Sequence, residues 1–327
     1  MVIREQQPSL FKLPQRVVEA AAEHAEHRAL REQLGAGPRL GAMSWSFPGW
    51  RGLVYGDRAD PKLLADAGLT AYSKHALLGT VEVDRSFYEP LPARYFEALS
   101  EQVPSDFRFL VKAHEDCSLQ HFPRHARYGK KQGEGNARFL DAGYATDAVV
   151  APCVEGLGSK LGAILFQFPP QDLGATSSTF AARLAAFLQR LPRGVTYAAE
   201  IRNSELLTPA YASALAETGA VHAHNVWGNM PSVLQQARLI PPPARRPLIV
   251  RWLMRRGDDY EGARSRFQPF SRLVEPDLPN RRDIATLIAK ALAHDVPAFV
   301  VVNNKAEGCA PATLVELARE IVAMRRR

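Results

Sequence analysis

Polar side chains recur at one kind of place in this sequence, the carboxyl-side ends of short apolar runs. Glu82 and Asp84 close the run at 80–83, Lys112 and His114 that at 108–112, Gln167 that at 163–168, and Glu200 with Arg202 that at 197–201. Ser44 and Trp45 end the run at 40–44, and His222, His224 and Asn225 mark 221–225. Arg251 lies in 248–253, and Asn303 and Asn304 follow 298–302. Charges and amides in such positions are costly to bury without a ligand or a shared network. Glu82 and Glu200 are the candidate acid and base, and Lys112, Arg202 and Arg251 form a clamp for an anion. Lys112 is also a candidate amine nucleophile, if desolvated beside an arginine. Gln167, Asn303 and Asn304 would orient the substrate, and Trp45, Tyr88 and Asn225 complete the binding set. The alternative for the same charges is mutual neutralisation in buried ion pairs, which describes a ligand-binding protein without catalysis. Trp45, Phe47, Trp50, Phe87 and Tyr88 have two readings as well, ligand stacking or packing in the core and walls, and the second is preferred for rings of this size.

Residues so far apart in sequence meet only if the fold gathers strand ends. The eight runs are nearly continuous in apolar residues, as strands covered on both faces are. Helical patterns at 61–67, 93–102, 180–191, 209–218, 284–294 and 312–324 separate most of them. Strand-then-helix alternation repeated eight times predicts an α/β protein built as a single (β/α)8 barrel, whose carboxyl-end mouth would collect the residues above. An open doubly wound sheet is the rival. It is disfavoured because Ser44-Trp45-Ser46-Phe47-Pro48-Gly49-Trp50 after the first strand carries no glycine fingerprint for phosphate. The expected division is a helical extension over 1–38, with one helix at 14–34 stopped by Gly35, Gly37 and Pro38, followed by the barrel over 39–327. Two connections, 113–160 and 254–282, exceed ordinary barrel loops and belong at the mouth.

The chain has 327 residues, 46% hydrophobic and 23% charged, which excludes a disordered chain. Three scattered cysteines argue against a disulfide framework. With no secretory signal at the start and no apolar run long enough for a bilayer, a cytoplasmic protein without membrane contact is expected. The net charge of +7 is local: residues 238–282 hold eleven arginines, no lysine and five acids. Arginine suits planar contact with phosphate or carboxylate. A small anionic, sugar-phosphate-like substrate is therefore the first expectation, and nucleic-acid binding or cleavage along the arginine-rich segment the second. No cofactor is identified. A divalent metal on Glu82, Glu200 and His224 is conceivable but disfavoured, since Lys112 and Arg202 would repel it. The spacing of His114, Cys117, His121 and His125 departs from compact zinc patterns.

Several blocks together resemble the YecE-like proteins, the family called domain of unknown function 72. They are Ser44-Trp45-Ser46-Phe47-Pro48-Gly49-Trp50-Arg51-Gly52 with Tyr55, Thr80-Val81-Glu82-Val83 with Phe87-Tyr88, and Phe107-Arg108-Phe109 with Lys112. Leu165-Phe166-Gln167-Phe168-Pro169-Pro170, Glu200-Ile201-Arg202 and Asn303-Asn304 with Gly308, Ala310 and Pro311 follow in order. The resemblance spans roughly residues 40 to 320 and implies a TIM barrel with a pocket at its carboxyl-end face. It implies no particular reaction. This chain departs from the family pattern at Asp84-Arg85, where Asn-Ser is usual. It departs again at Arg251-Trp252-Leu253-Met254, which lacks a histidine, around Asn225-Val226-Trp227, where an acid is usual, and at Lys305, where an acid is common.

Overall fold

The computed structural model describes residues 17–56, 60–171, 177–242 and 245–326. Eight parallel strands close a barrel in sequence order: β1 (Pro38–Ala42), β2 (Leu78–Val83), β3 (Arg108–Lys112), β4 (Leu161–Phe168), β5 (Tyr197–Ile201), β6 (Val221–Val226), β7 (Leu248–Trp252) and β8 (Ala298–Val302), with β8 pairing back onto β1. The helices are α1 (Ala25–Leu34), α2 (Pro61–Tyr72), α3 (Arg85–Tyr88), α4 (Ala93–Ser100), α5 (Ala142–Ala145), α6 (Ala151–Leu157), α7 (Ser177–Gln189), α8 (Pro209–Thr218), α9 (Val233–Leu239), α10 (Tyr260–Phe267), α11 (Leu278–Ala293) and α12 (Ala310–Arg325). The single (β/α)8 barrel expected from the alternation is what the chain forms.

Local signals set the helix starts. The Asp60 side chain accepts from the Lys62 and Leu63 amides ahead of α2, Thr208 accepts from the Tyr211 amide ahead of α8, and each helix has proline in its first turn. Alternation along the strands sorts the side chains. Leu110, Leu165, Ala198, Ala223, Ile249 and Val301 fill the barrel interior, and the residues two further along are Lys112, Gln167, Glu200, Asn225, Arg251 and Asn303. Each of these six strands thus carries apolar packing at its centre and a polar group one step nearer the mouth.

One expectation about the start of the barrel needs correction. The helix expected at 14–34 begins only at Ala25, and positions 14–16 lie outside the described residues. Residues 19–21 pair instead with the loop after β1, through Gly56 N to Glu19 O at 2.8 Å and Ala21 N to Val54 O at 3.0 Å, and Val18 is buried. Those tertiary partners draw the backbone away from helix. At the other end, Arg325 ends α12 and donates to the Gln33 and Leu34 carbonyls at 2.9 Å, which satisfies orphan acceptors of α1.

Register between β1 and β2 shifts at Leu40/Gly41, and the Tyr72 hydroxyl bridges the gap, accepting from Ala42 N at 2.8 Å and donating to Thr80 O at 2.9 Å. A β-carbon on Gly41 would stand 1.9 Å from Thr80 O, a backbone atom that cannot rotate aside. We therefore expect Gly41→Ala to lower stability by about 1–3 kcal/mol, measured by urea denaturation. An unchanged midpoint would contradict this tight β1–β2 approach.

Candidate functional site

Inside the mouth, Arg251 on β7 reaches across the barrel. Its Nη2 donates to Glu82 Oε1 at 2.6 Å and its Nε to Glu82 Oε2 at 2.8 Å, a two-pronged pair with β2. Its Nη1 donates to Glu200 Oε2 on β5 and to Gln167 Oε1 on β4 at 3.2 Å. Arg202 closes the network, with Nε 2.6 Å from Glu200 Oε1 and Nη2 2.8 Å from Gln167 Oε1. Glu82, Glu200, Gln167 and Arg251 are all buried, so four strands are cross-linked by charge-assisted hydrogen bonds. The two carboxyl groups titrate differently. Burial pushes Glu82 up and outweighs its arginine partner. Burial pushes Glu200 up too, but the Arg251 and Arg202 guanidiniums together overcome it and hold that carboxyl down, at about 2.

Above this floor opens a cavity of about 590 Å³, within the usual size of small-molecule sites. Glu82, Gln167, Arg202 and Arg251 form part of its base, and Lys112 stands at its side. Lys112 Nζ lies 2.6 Å from Asp84 Oδ1 and 3.8 Å from the centre of the Phe87 ring. The lysine is buried whereas the Asp84 side chain is 39% exposed. Burial lowers the Lys112 ammonium, partly countered by Asp84. Aromatic walls come from Phe47, Phe87, Tyr88, Trp227 and Tyr260, and Arg202 lies over Trp227 at 4.8 Å. Gly49 lets the loop after β1 meet the chain at Pro269, since a β-carbon there would sit 1.9 Å from Pro269 O.

Of the residues singled out in the sequence, Glu82, Lys112, Tyr88, Gln167, Arg202, Arg251, Asn303 and Asn304 line this cavity, and Tyr88 is 54% exposed. Three do not. Glu200 lies beneath the two arginines, which occupy both its oxygens. Asn225 is sealed behind β5, donating to Ile201 O at 3.0 Å. Trp45 packs in the core against Gly68, and its carbonyl accepts from the Tyr55 hydroxyl. Strand-end position was a correct guide to the mouth but could not separate side chains that open into the cavity from those one shell beneath it. Asp84 and Lys305 also line the mouth without having been chosen, although both sit at strand ends in the sequence. Tyr260 and Met254 come from the long connection after β7, and Trp227 from the short one after β6, where no periodicity marks them.

The arginine-rich segment is more nearly neutral than its composition suggests. Arg251, Arg255, Arg264, Arg266, Arg281 and Arg282 pair with carboxylates, several from outside the segment: Glu82, Glu200, Glu307, Glu316 and Glu320. In the loop after β3, Cys117 is fully buried and His114 Nδ1 faces the Tyr144 hydroxyl at 2.8 Å. Among the described residues no group of three or more His, Cys, Asp or Glu is placed to hold a metal ion, and no helix is long and apolar enough to cross a membrane.

A closed parallel barrel with helices outside and polar strand ends around one mouth defines the TIM-barrel class. Within that class, the sequence pattern of the family described as protein of unknown function DUF72 matches residues 39–327, and the chain belongs to that family. A curated relative, UPF0759 protein YunF of Bacillus subtilis, is 35% identical over 111 residues; the match covers about a third of each chain, 34% of this one and 34% of the relative. Among solved structures, a DUF72 family protein of Enterococcus faecalis superposes with a TM-score of 0.56 at 17% identity, covering 89% of this chain and 96% of the other. One from Thermotoga maritima does so at 0.55 and 16%, covering 89% and 100%. These likenesses establish the fold.

Two outcomes follow from the charged floor. Arg251→Met would leave both carboxylates buried without their shared partner and should destabilise the protein by about 3–5 kcal/mol, read by thermal or urea unfolding; a loss near zero would contradict the role of Arg251. Glu200 has a folded-state pKa below its ordinary value of 4.5, so its contribution to stability is present above that value and is lost as pH falls toward about 2. Glu200→Gln should therefore flatten the acid limb of the stability profile over that window, and an unaltered limb would be the contrary result.

Proposed function

We propose that the protein is an enzyme performing acid–base chemistry on a small anionic substrate held in the barrel mouth. The observation that carries this reading is the Lys112–Asp84 pair. A buried ammonium, lowered by desolvation, stands 2.6 Å from a half-exposed carboxylate at the wall of an open cavity. Groups shifted by burial and positioned against an accessible pocket are characteristic of proton-transfer sites. In this reading the Lys112 ammonium donates a proton to a substrate oxygen, Asp84 accepts one from another substrate atom, and transfer of that proton across their hydrogen bond to the neutral amine restores the pair. Arg251 and Arg202 present N–H groups at the floor, and Gln167 accepts from both, fixing their planes. Glu200 then serves as a positioning residue for the arginines. Glu82 remains a carboxyl that faces the cavity and protonates more readily than Glu200.

The aromatic walls suit the apolar face of a sugar or another compact ring. A substrate of sugar-phosphate size matches the cavity, while a nucleic-acid strand would require an extended basic surface. The internal pairing of six arginines in residues 238–282 speaks against the latter.

The test is to incubate the purified protein with a cellular small-molecule extract and follow individual metabolites by mass spectrometry. The proposal expects one anionic compound to be depleted with a product appearing, and Lys112→Met to slow that conversion by about 100-fold or more. Retention of a compound without conversion would instead identify a binding barrel, and conversion at an undiminished rate by Lys112→Met would remove the lysine from the chemistry.

A further inference from the structure

The floor of the mouth is balanced in charge. Arg251 is committed to Glu82 and Glu200, Arg202 to Glu200, Lys112 to Asp84, and Arg85, on the rim, to Glu89 at 2.9 Å. One cation lining the cavity stands apart. Lys305, in the turn that follows β8, is 9% exposed, and no carboxylate or other acceptor contacts its ammonium among the described residues. Its Nζ lies 4.1 Å from the centre of the Tyr260 ring and 6.0 Å from that of Phe270, which hold the charge at the cavity wall without neutralising it. Burial and the nearby Arg264 guanidinium lower this ammonium, and the Asp84 and Glu261 carboxylates, neither in contact with it, offset that only in part; such a charge is costly, and the cost is relieved when an anion arrives.

The neighbouring amides have the same shortage of acceptors. Asn303 Oδ1 accepts from the Lys305 backbone amide at 3.0 Å, which fixes the turn. Its Nδ2 is left facing only the Met43 sulfur at 3.8 Å, a weak acceptor. Asn304 Oδ1 accepts from Trp50 Nε1 at 3.1 Å and from Ala310 N at 2.8 Å, and its own buried Nδ2 has no partner. Three successive side chains therefore offer N–H groups that lack an oxygen to receive them, and all three line the cavity.

We infer that the Asn303–Lys305 turn is the anchor for the anionic group of the substrate, a carboxylate or phosphate whose oxygens accept from Lys305 Nζ and Asn303 Nδ2. This rests on the reading of the mouth as a small-anion site and assigns the recognition of charge within it. Arg202 and Arg251, the clamp expected from the sequence, already have their charge met, whereas Lys305 does not. The turn after β8 and the Lys112–Asp84 pair after β2 and on β3 line the same cavity with different side chains, so a substrate held by its anion at the turn can present another atom to the lysine that handles the proton.

Isothermal titration calorimetry with inorganic phosphate and with acetate tests this on the full chain, comparing wild type, Lys305→Met, Lys305→Arg and Lys112→Met. Wild type should bind at least one probe, and which of the two it prefers separates a phosphate from a carboxylate site. Lys305→Met should weaken that binding by about tenfold or more, and Lys305→Arg, which keeps the charge, should retain most of it. Circular dichroism of each variant separates loss of binding from loss of fold. If Lys305→Met binds as wild type does while Lys112→Met loses binding, the anchor is at Lys112; the inference is overturned and the small-anion reading survives. If wild type binds neither probe, both are overturned.

Discussion

The Arg251 guanidinium is the contact on which the mouth depends. A barrel interior can be filled with apolar side chains alone, as it is here by Leu110, Leu165, Ala198, Ile249 and Phe299. One step nearer the mouth that solution stops, and a planar cation takes the place of the next apolar layer. Five N–H groups in a fixed fork allow Arg251 to engage Glu82, Gln167 and Glu200 on three other strands at once. Removing one member would strand the rest in a medium of low dielectric, so the network is rigid by construction. The cavity above inherits a floor whose donors and acceptors are already oriented.

Rigidity has a consequence for function. Charges that satisfy one another are poor at capturing a substrate, because a ligand would have to displace a partner already in place. In the proposed reading the chemistry falls to groups on the rim whose commitments are incomplete: the Lys112–Asp84 pair, whose carboxylate is partly exposed, and the turn after β8, where Lys305 and Asn303 have no oxygen acceptor among the described residues. A fixed base and an underused rim divide the work between holding the geometry and meeting the ligand.

Most of the fold was legible in the sequence because the strands are apolar on both faces and the period of the pattern changes sharply at their ends. The short helices α6, α9 and α10 carried too little periodicity to be read, and the stretch before α1 was misread because its backbone partners lie more than thirty residues away, in the loop after β1. The site was legible only to the level of strand ends. Alternation turns Glu200 and Asn225 inward as reliably as their register partners Gln167 and Arg251, yet Glu200 is covered by two arginines and Asn225 is tied to the Ile201 carbonyl, and neither meets the cavity. Charge was the least legible quantity. Eleven arginines within residues 238–282 suggested a basic surface, and the fold supplies Glu82, Glu200, Glu307, Glu316 and Glu320 from elsewhere to meet three of them, Arg251, Arg281 and Arg282. Lys305, a single charge in an unremarkable stretch, has no ion-pair partner among the described residues.

A crystal structure of the protein grown in inorganic phosphate bears most directly on the claim that the floor is closed and the rim is open. The account predicts phosphate within hydrogen-bonding distance of Lys305 Nζ and Asn303 Nδ2, with Glu82 and Glu200 still bound to Arg251. Phosphate seated between Arg251 and Arg202, with either carboxylate swung away, would contradict it.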